Sequence, residues 1–157
     1  MLKRFLAAAM VTVATLGICV VAAAPAQAAY GCNGSFLKTY TVHPISGSWV
    51  TYVDVYLENG TTNCLVHRTG GASYDNASGM GIVVSKTAAN VPPGNAGQTL
   101  CEGMRTAPGR VGDCANNYSL YAGPVRIHAP GSCIHFTARA KFPVGANAEK
   151  FTNKHCG

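Results

Sequence analysis

Apolar and polar residues alternate in short runs along most of this chain, with Gly, Pro and Asn between the runs. That pattern predicts antiparallel strands, since no segment after the N-terminal region sustains the 3.6-residue period of an amphipathic helix. Residues 49–58 show it most clearly. Trp49, Thr51, Val53, Val55 and Leu57 share one face, and Val50, Tyr52, Asp54, Tyr56 and Glu58 share the other. Both carboxylates fall on the second face, so the first is the expected core face. Asn59-Gly60 then forms a hairpin signal, because both residues tolerate positive φ. The returning strand is expected at 63–69. A two- or four-residue loop turns Cys64 and Val66 inward, and a three-residue loop turns in Leu65 and His67.

A second hairpin is expected near the C-terminus, with 125–128 and 133–138 flanking Ala129-Pro130-Gly131-Ser132. In that register Val125, Ile127, Ile134 and Phe136 share one face, and Arg126, His128, Cys133 and His135 share the other. Further strands are expected at 35–42, 80–86 and 118–121. Between 87 and 113 alternation fails, and Pro92-Pro93-Gly94 and Pro108-Gly109 mark a long loop. The expected fold is one all-β domain, an antiparallel sandwich or partly open barrel stapled by disulfides.

The N-terminal 28 residues read differently. Lys3 and Arg4 precede an apolar run from Phe5 to Ala24, followed by Pro25 and the small-x-small triplet Ala26-Gln27-Ala28. This is the layout of a cleaved secretory signal. An uncleaved membrane anchor is the alternative, but Thr12, Thr15 and Gly17 dilute the run and no basic stop-transfer cluster follows. The domain is therefore expected to span 29–157 and to be secreted, without membrane insertion once the signal is removed.

Of seven cysteines, Cys19 departs with the signal, leaving Cys32, Cys64, Cys101, Cys114, Cys133 and Cys156. An even set in an exported chain predicts disulfides. Six cysteines allow fifteen pairings. A local staple, Cys101–Cys114, is expected because Gly103, Pro108 and Gly109 let the chain turn back, with Cys32–Cys64 and Cys133–Cys156 the simplest remaining pairs. No close C-x-x-C pair suggests a metal.

Removing Lys3 and Arg4 leaves ten basic residues against six acidic ones, a net charge of +4. That balance favours anionic envelope polymers as partners, and the charges are too scattered for specific nucleic-acid recognition. Arg126, His128, His135 and Arg139 are the candidate surface-binding residues, displayed together if the second hairpin forms. A two-histidine metal site at His128 and His135 is disfavoured by Arg126 beside them. His67, His128, Glu58, Glu102 and Arg126 are the residue types of a small ribonuclease, but no motif organises them. G-x-S-x-G, H-E-x-x-H, a P-loop and a dinucleotide fingerprint are all absent, so no cofactor is implied. Tyr52 and Tyr56 beside Trp49 form a candidate carbohydrate platform, weighed against ordinary cross-strand packing.

Cys32, Val53-Asp54-Val55-Tyr56-Leu57, Asn63-Cys64 and Arg68 lead to a distinctive later segment. It runs from Asn117-Tyr118-Ser119-Leu120-Tyr121-Ala122-Gly123-Pro124-Val125 through His128-Ala129-Pro130-Gly131-Ser132-Cys133-Ile134 to His155-Cys156-Gly157. This pattern resembles spore-associated protein A, a family of small secreted proteins of filamentous actinobacteria. Phe136 replaces a family Trp, and the segment between Cys101 and Cys114 is extra. The resemblance implies export and association with the spore or hyphal surface, and no catalytic residue. The function expected is therefore that of a non-catalytic surface protein. An extracellular inhibitor or toxin-like effector presenting the 87–113 loop is the first alternative, and a small hydrolase such as a ribonuclease the second.

Overall fold

The computed structural model describes residues 29–43, 49–92, 99–143 and 147–156, so the expected signal peptide lies outside the described residues. Eight strands follow one another: β1 (Ser35–Val42), β2 (Thr51–Glu58), β3 (Thr62–Thr69), β4 (Gly79–Ser85), β5 (Val111–Ala115), β6 (Tyr121–His128), β7 (Ile134–Lys141) and β8 (Asn147–His155). They form two four-stranded sheets, ordered β1-β2-β3-β6 and β5-β4-β7-β8. Every neighbouring pair is antiparallel. The sheets are separate, so the expected all-β domain is a sandwich and not a closed barrel.

The core lies between them. Val53, Val55, Leu65, Val125 and Ile127 from the first sheet meet Met80, Ile82, Val84, Ile134, Phe136 and Ala138 from the second. In β2 the expected face is the one turned to the core, with Leu57 partly exposed, but Asp54, Tyr56 and Glu58 on the opposite face are buried as well. The β2–β3 turn places Asn59 at φ 51° and Gly60 at φ 70°. Glu58 pairs with Thr62, leaving a three-residue loop. This selects the register in which Leu65 and His67 point inward.

The second expected hairpin does not form. β6 pairs with β3 in the first sheet, whereas β7 pairs with β4 and β8 in the second. The turn over 129–133 carries the chain across the sandwich. Val125, Ile127, Ile134 and Phe136 are all buried as expected, but they face one another from opposite sheets. Alternation reports which face is buried and is silent on which strand lies alongside. Pro130-Gly131 also lacks the primed-turn chemistry of a tight hairpin.

Two strands escaped the pattern. β5 has few apolar residues, and β8 is a polar edge strand. Residues 119–120 form a bend, and the strand expected at 118–121 begins only at Tyr121. The long loop is not a free projection. Val91, Met104 and Cys114 pack with Val83 on the outer face of β4 in a second apolar cluster, with Leu100 and Cys101 against it. Thr137 Oγ1 donates to the Pro92 carbonyl at 2.6 Å, and Arg139 Nη1 donates to the Glu102 carbonyl at 3.1 Å. Gly112 admits the loop because a Cβ there would stand 2.1 Å from the Met104 carbonyl oxygen. Thus β4 is buried on both faces, which accounts for its nearly unbroken apolar run.

Candidate functional site

With the described parts of the loop packed on β4 and bonded to Thr137 and Arg139 of β7, the outer face of the first sheet is where the chemistry is displayed. The N-terminal segment crosses part of it. Cys32 is bonded to Cys64 on β3, and Asn33 N–H donates to Glu58 Oε1 at 2.7 Å. Arg126 on β6 grips both partners: its Nε donates to Glu58 Oε2 at 2.8 Å, and its Nη2 donates to the Gly31 carbonyl. The Arg126 guanidinium holds the Glu58 carboxyl below the ordinary carboxylate range, against the opposing effect of burial. Cys32, Glu58 and Cys64 lie close enough to suggest a metal cluster. Both sulfurs are committed to the disulfide, and Glu58 is already hydrogen-bonded, so the donor set does not fit a cation.

Beside this clamp, β2, β3 and β6 place three residues in one transverse row. Tyr52 is directly opposite Arg68, and Arg68 is directly opposite Tyr121. The Arg68 guanidinium lies 4.9 Å from the Tyr52 ring centroid. Its Nε donates to Asp54 Oδ2 at 2.5 Å and its Nη2 to Asp54 Oδ1 at 3.3 Å. Thr39 Oγ1 donates to Asp54 Oδ1 at 2.6 Å, so the carboxylate is well satisfied although only 4% exposed. Tyr30 packs against Tyr121 with ring centroids 4.9 Å apart, and the two are 37% and 40% exposed. Burial, and secondarily the Asp54 charge, raises the Tyr56 phenol. An open hollow of about 290 Å³ adjoins Tyr121, lined by Asn117, Tyr118, Ser119, Leu120 and Gly123. Asp113 fixes its wall by accepting from Tyr118 Oη at 3.1 Å and from Gly123 N–H at 2.7 Å.

The sequence candidates are dispersed. Arg126 and His128 project outward from the first sheet, while His135 and Arg139 project from the outer face of the second. The expected single basic patch is therefore corrected, because the hairpin that would have assembled it is a crossing between sheets. Arg139 is only 5% exposed beneath the loop. His128 and His135 belong to different sheets, which also removes the two-histidine metal geometry. Trp49 stacks on Phe142 at 5.5 Å against the core and takes no part in a platform with Tyr52 and Tyr56.

The ribonuclease set is likewise scattered. His67 is fully buried between the sheets, with Nδ1 at 3.1 Å from the Gly81 carbonyl and Nε2 at 2.6 Å from Thr51 Oγ1. Because a carbonyl only accepts, Nδ1 carries the proton and Nε2 accepts from the threonine hydroxyl. Burial lowers the His67 pKa to about 4. Glu58 and Arg126 are paired on the far side of the first sheet, and Glu102 lies on the loop over the second.

The six cysteines pair as Cys32–Cys64, Cys101–Cys114 and Cys133–Cys156, the arrangement expected from their positions. Among the described residues no helix is long and apolar enough to cross a membrane. No protein-family model, curated protein or solved structure matches this chain. Sequence reading raised Tyr52 as a platform residue and missed Tyr30 and Tyr121 as its neighbours. Their juxtaposition depends on the β3–β6 pairing and on the Cys32–Cys64 bond, neither of which leaves a local pattern.

Proposed function

We propose that this is a secreted, non-catalytic protein that adheres to the outside of cells or spores. The observation that carries the reading is the Tyr52–Arg68–Tyr121 row, in which exposed Tyr121 and half-buried Tyr52 and Arg68 form an aromatic and hydrogen-bonding surface on a disulfide-held sheet. Three disulfides suit an oxidising compartment. The dispersal of His67, His128, Glu58 and Glu102 favours binding over hydrolysis. Val91 and Met104 tie the described parts of the long loop to Val83 on β4, which favours the surface reading over the inhibitor alternative. Contact with the envelope is assigned to the row, since the basic residues first considered for it do not form one patch.

Fractionating producing cells into medium, surface wash and washed envelope tests the reading. Most of the protein is expected with the envelope and in a mild-detergent wash. Recovery entirely in the medium refutes surface adhesion. RNA hydrolysis by the purified protein that disappears in His128→Ala refutes the non-catalytic part.

A further inference from the structure

We infer that the Tyr52–Arg68–Tyr121 row is a binding site for a neutral, extended β-1,4-linked polysaccharide. The inference rests on the adhesive reading above and names the chemistry that the surface holds. Three features of the row point to this ligand.

The first is spacing. Tyr52 and Tyr121 stand two strand separations apart across the sheet. That is roughly 10 Å between backbones at about 4.8 Å per strand, close to the length of a disaccharide in an extended β-1,4-linked chain. Sugar rings one disaccharide apart thus reach Tyr121 at one end and, at the other, Tyr52 with the Arg68 guanidinium lying on its ring. The second is charge. Arg68 is balanced by Asp54, so the floor of the row carries no net charge and suits hydroxyl and acetamido groups better than an anionic polymer. Arg68 Nη1 takes no part in the two bonds to Asp54, and the Tyr52, Tyr121 and Tyr30 hydroxyls make no hydrogen bond among the described residues. The third is access. Gly70 leaves the floor open: a Cβ there would lie 3.0 Å from Tyr52 Cε2 and 3.2 Å from Arg68 Nη1. The hollow beyond Tyr121 continues the surface with Asn117 and Ser119.

The test is co-sedimentation of the purified protein with microcrystalline cellulose and with chitin, which separates hydroxyl from acetamido recognition. Heparin-agarose serves as the anionic control. Binding to at least one of the first two is expected to persist in about 1 M NaCl, where charge interactions are screened within about 3 Å. The Tyr52→Ala/Tyr121→Ala double variant is expected to bind at least about tenfold more weakly, as loss of two aromatic contacts implies. Gly70→Leu, whose extended backbone accepts a side chain, is expected to weaken binding while every tyrosine remains. Unchanged thermal unfolding of each variant establishes that the fold is intact. Retention on neither polysaccharide, or retention that salt removes and both variants leave unchanged, overturns the inference. Envelope association without polysaccharide binding refutes this inference alone. Polysaccharide binding without envelope association refutes only the adhesive reading.

Discussion

Acid should weaken this fold well before its carboxylates titrate, because His67 is held neutral in the core. Its imidazole joins the two sheets, donating to Gly81 on β4 and accepting from Thr51 on β2. Protonation would bury a charge and turn Nε2 into a donor facing a hydroxyl. Its pKa falls from 6.5 to about 4 on folding. The unfolded chain therefore binds the extra proton first. The stabilisation is complete above about pH 6.5, declines as pH falls, and is exhausted below about pH 4. Linkage gives about 2 kcal/mol lost by about pH 5 and about 3 kcal/mol in all. Urea unfolding across this range measures the effect, with His67→Gln as the reference, since glutamine donates and accepts without titrating. Burial also lowers His155, helped by Lys38, so part of the slope persists in the variant. Glu58 contributes in the same direction only below the ordinary carboxylate pKa of 4.5. The wild-type protein should lose about 2 kcal/mol more than His67→Gln between about pH 7 and pH 5. Identical slopes would refute the argument.

Two further outcomes follow from packing and cross-linking. Phe136 is fully buried and meets Tyr40 edge-on at 5.1 Å, so Phe136→Ala should cost about 3–5 kcal/mol in denaturant unfolding; exposed His128→Ala should cost less than about 0.5 kcal/mol. Replacing Cys101 and Cys114 together by Ser opens a loop spanning 13 positions. About 3 kcal/mol of stability should be lost on the chain-entropy account, and limited proteolysis should cut first between 99 and 110.

The strands with strong alternation were legible in the sequence, and so were the buried faces of β2, β6 and β7. Partnership was not. Val125 and Ile127 match Ile134 and Phe136 whether they lie alongside in one sheet or face one another across a core, and only the crossing occurs here. The polar edge strand β8 carries no hydrophobic period to read. β5 was missed because its core contacts come from Val111 and Cys114 alone. At the site, Tyr52 was visible on an alternating strand, but Tyr30 reaches Tyr121 from 91 positions away by sequence number through a covalent tie at Cys32. Such proximity depends on tertiary structure. The cysteine order was more informative, since each bond joins cysteines that are consecutive along the chain.

The clamp on the N-terminal segment also has a practical side. Arg126 and the Cys32–Cys64 bond bring the chain into the fold beside Tyr30, at one end of the tyrosine row. Any tag or leader left ahead of Ala29 therefore begins next to the surface proposed to bind. A purification handle belongs at the other terminus, beyond the β8 edge of the second sheet. If the expected signal is removed after Ala28, comparing the cleaved and uncleaved forms would also show whether its removal uncovers the face proposed to adhere.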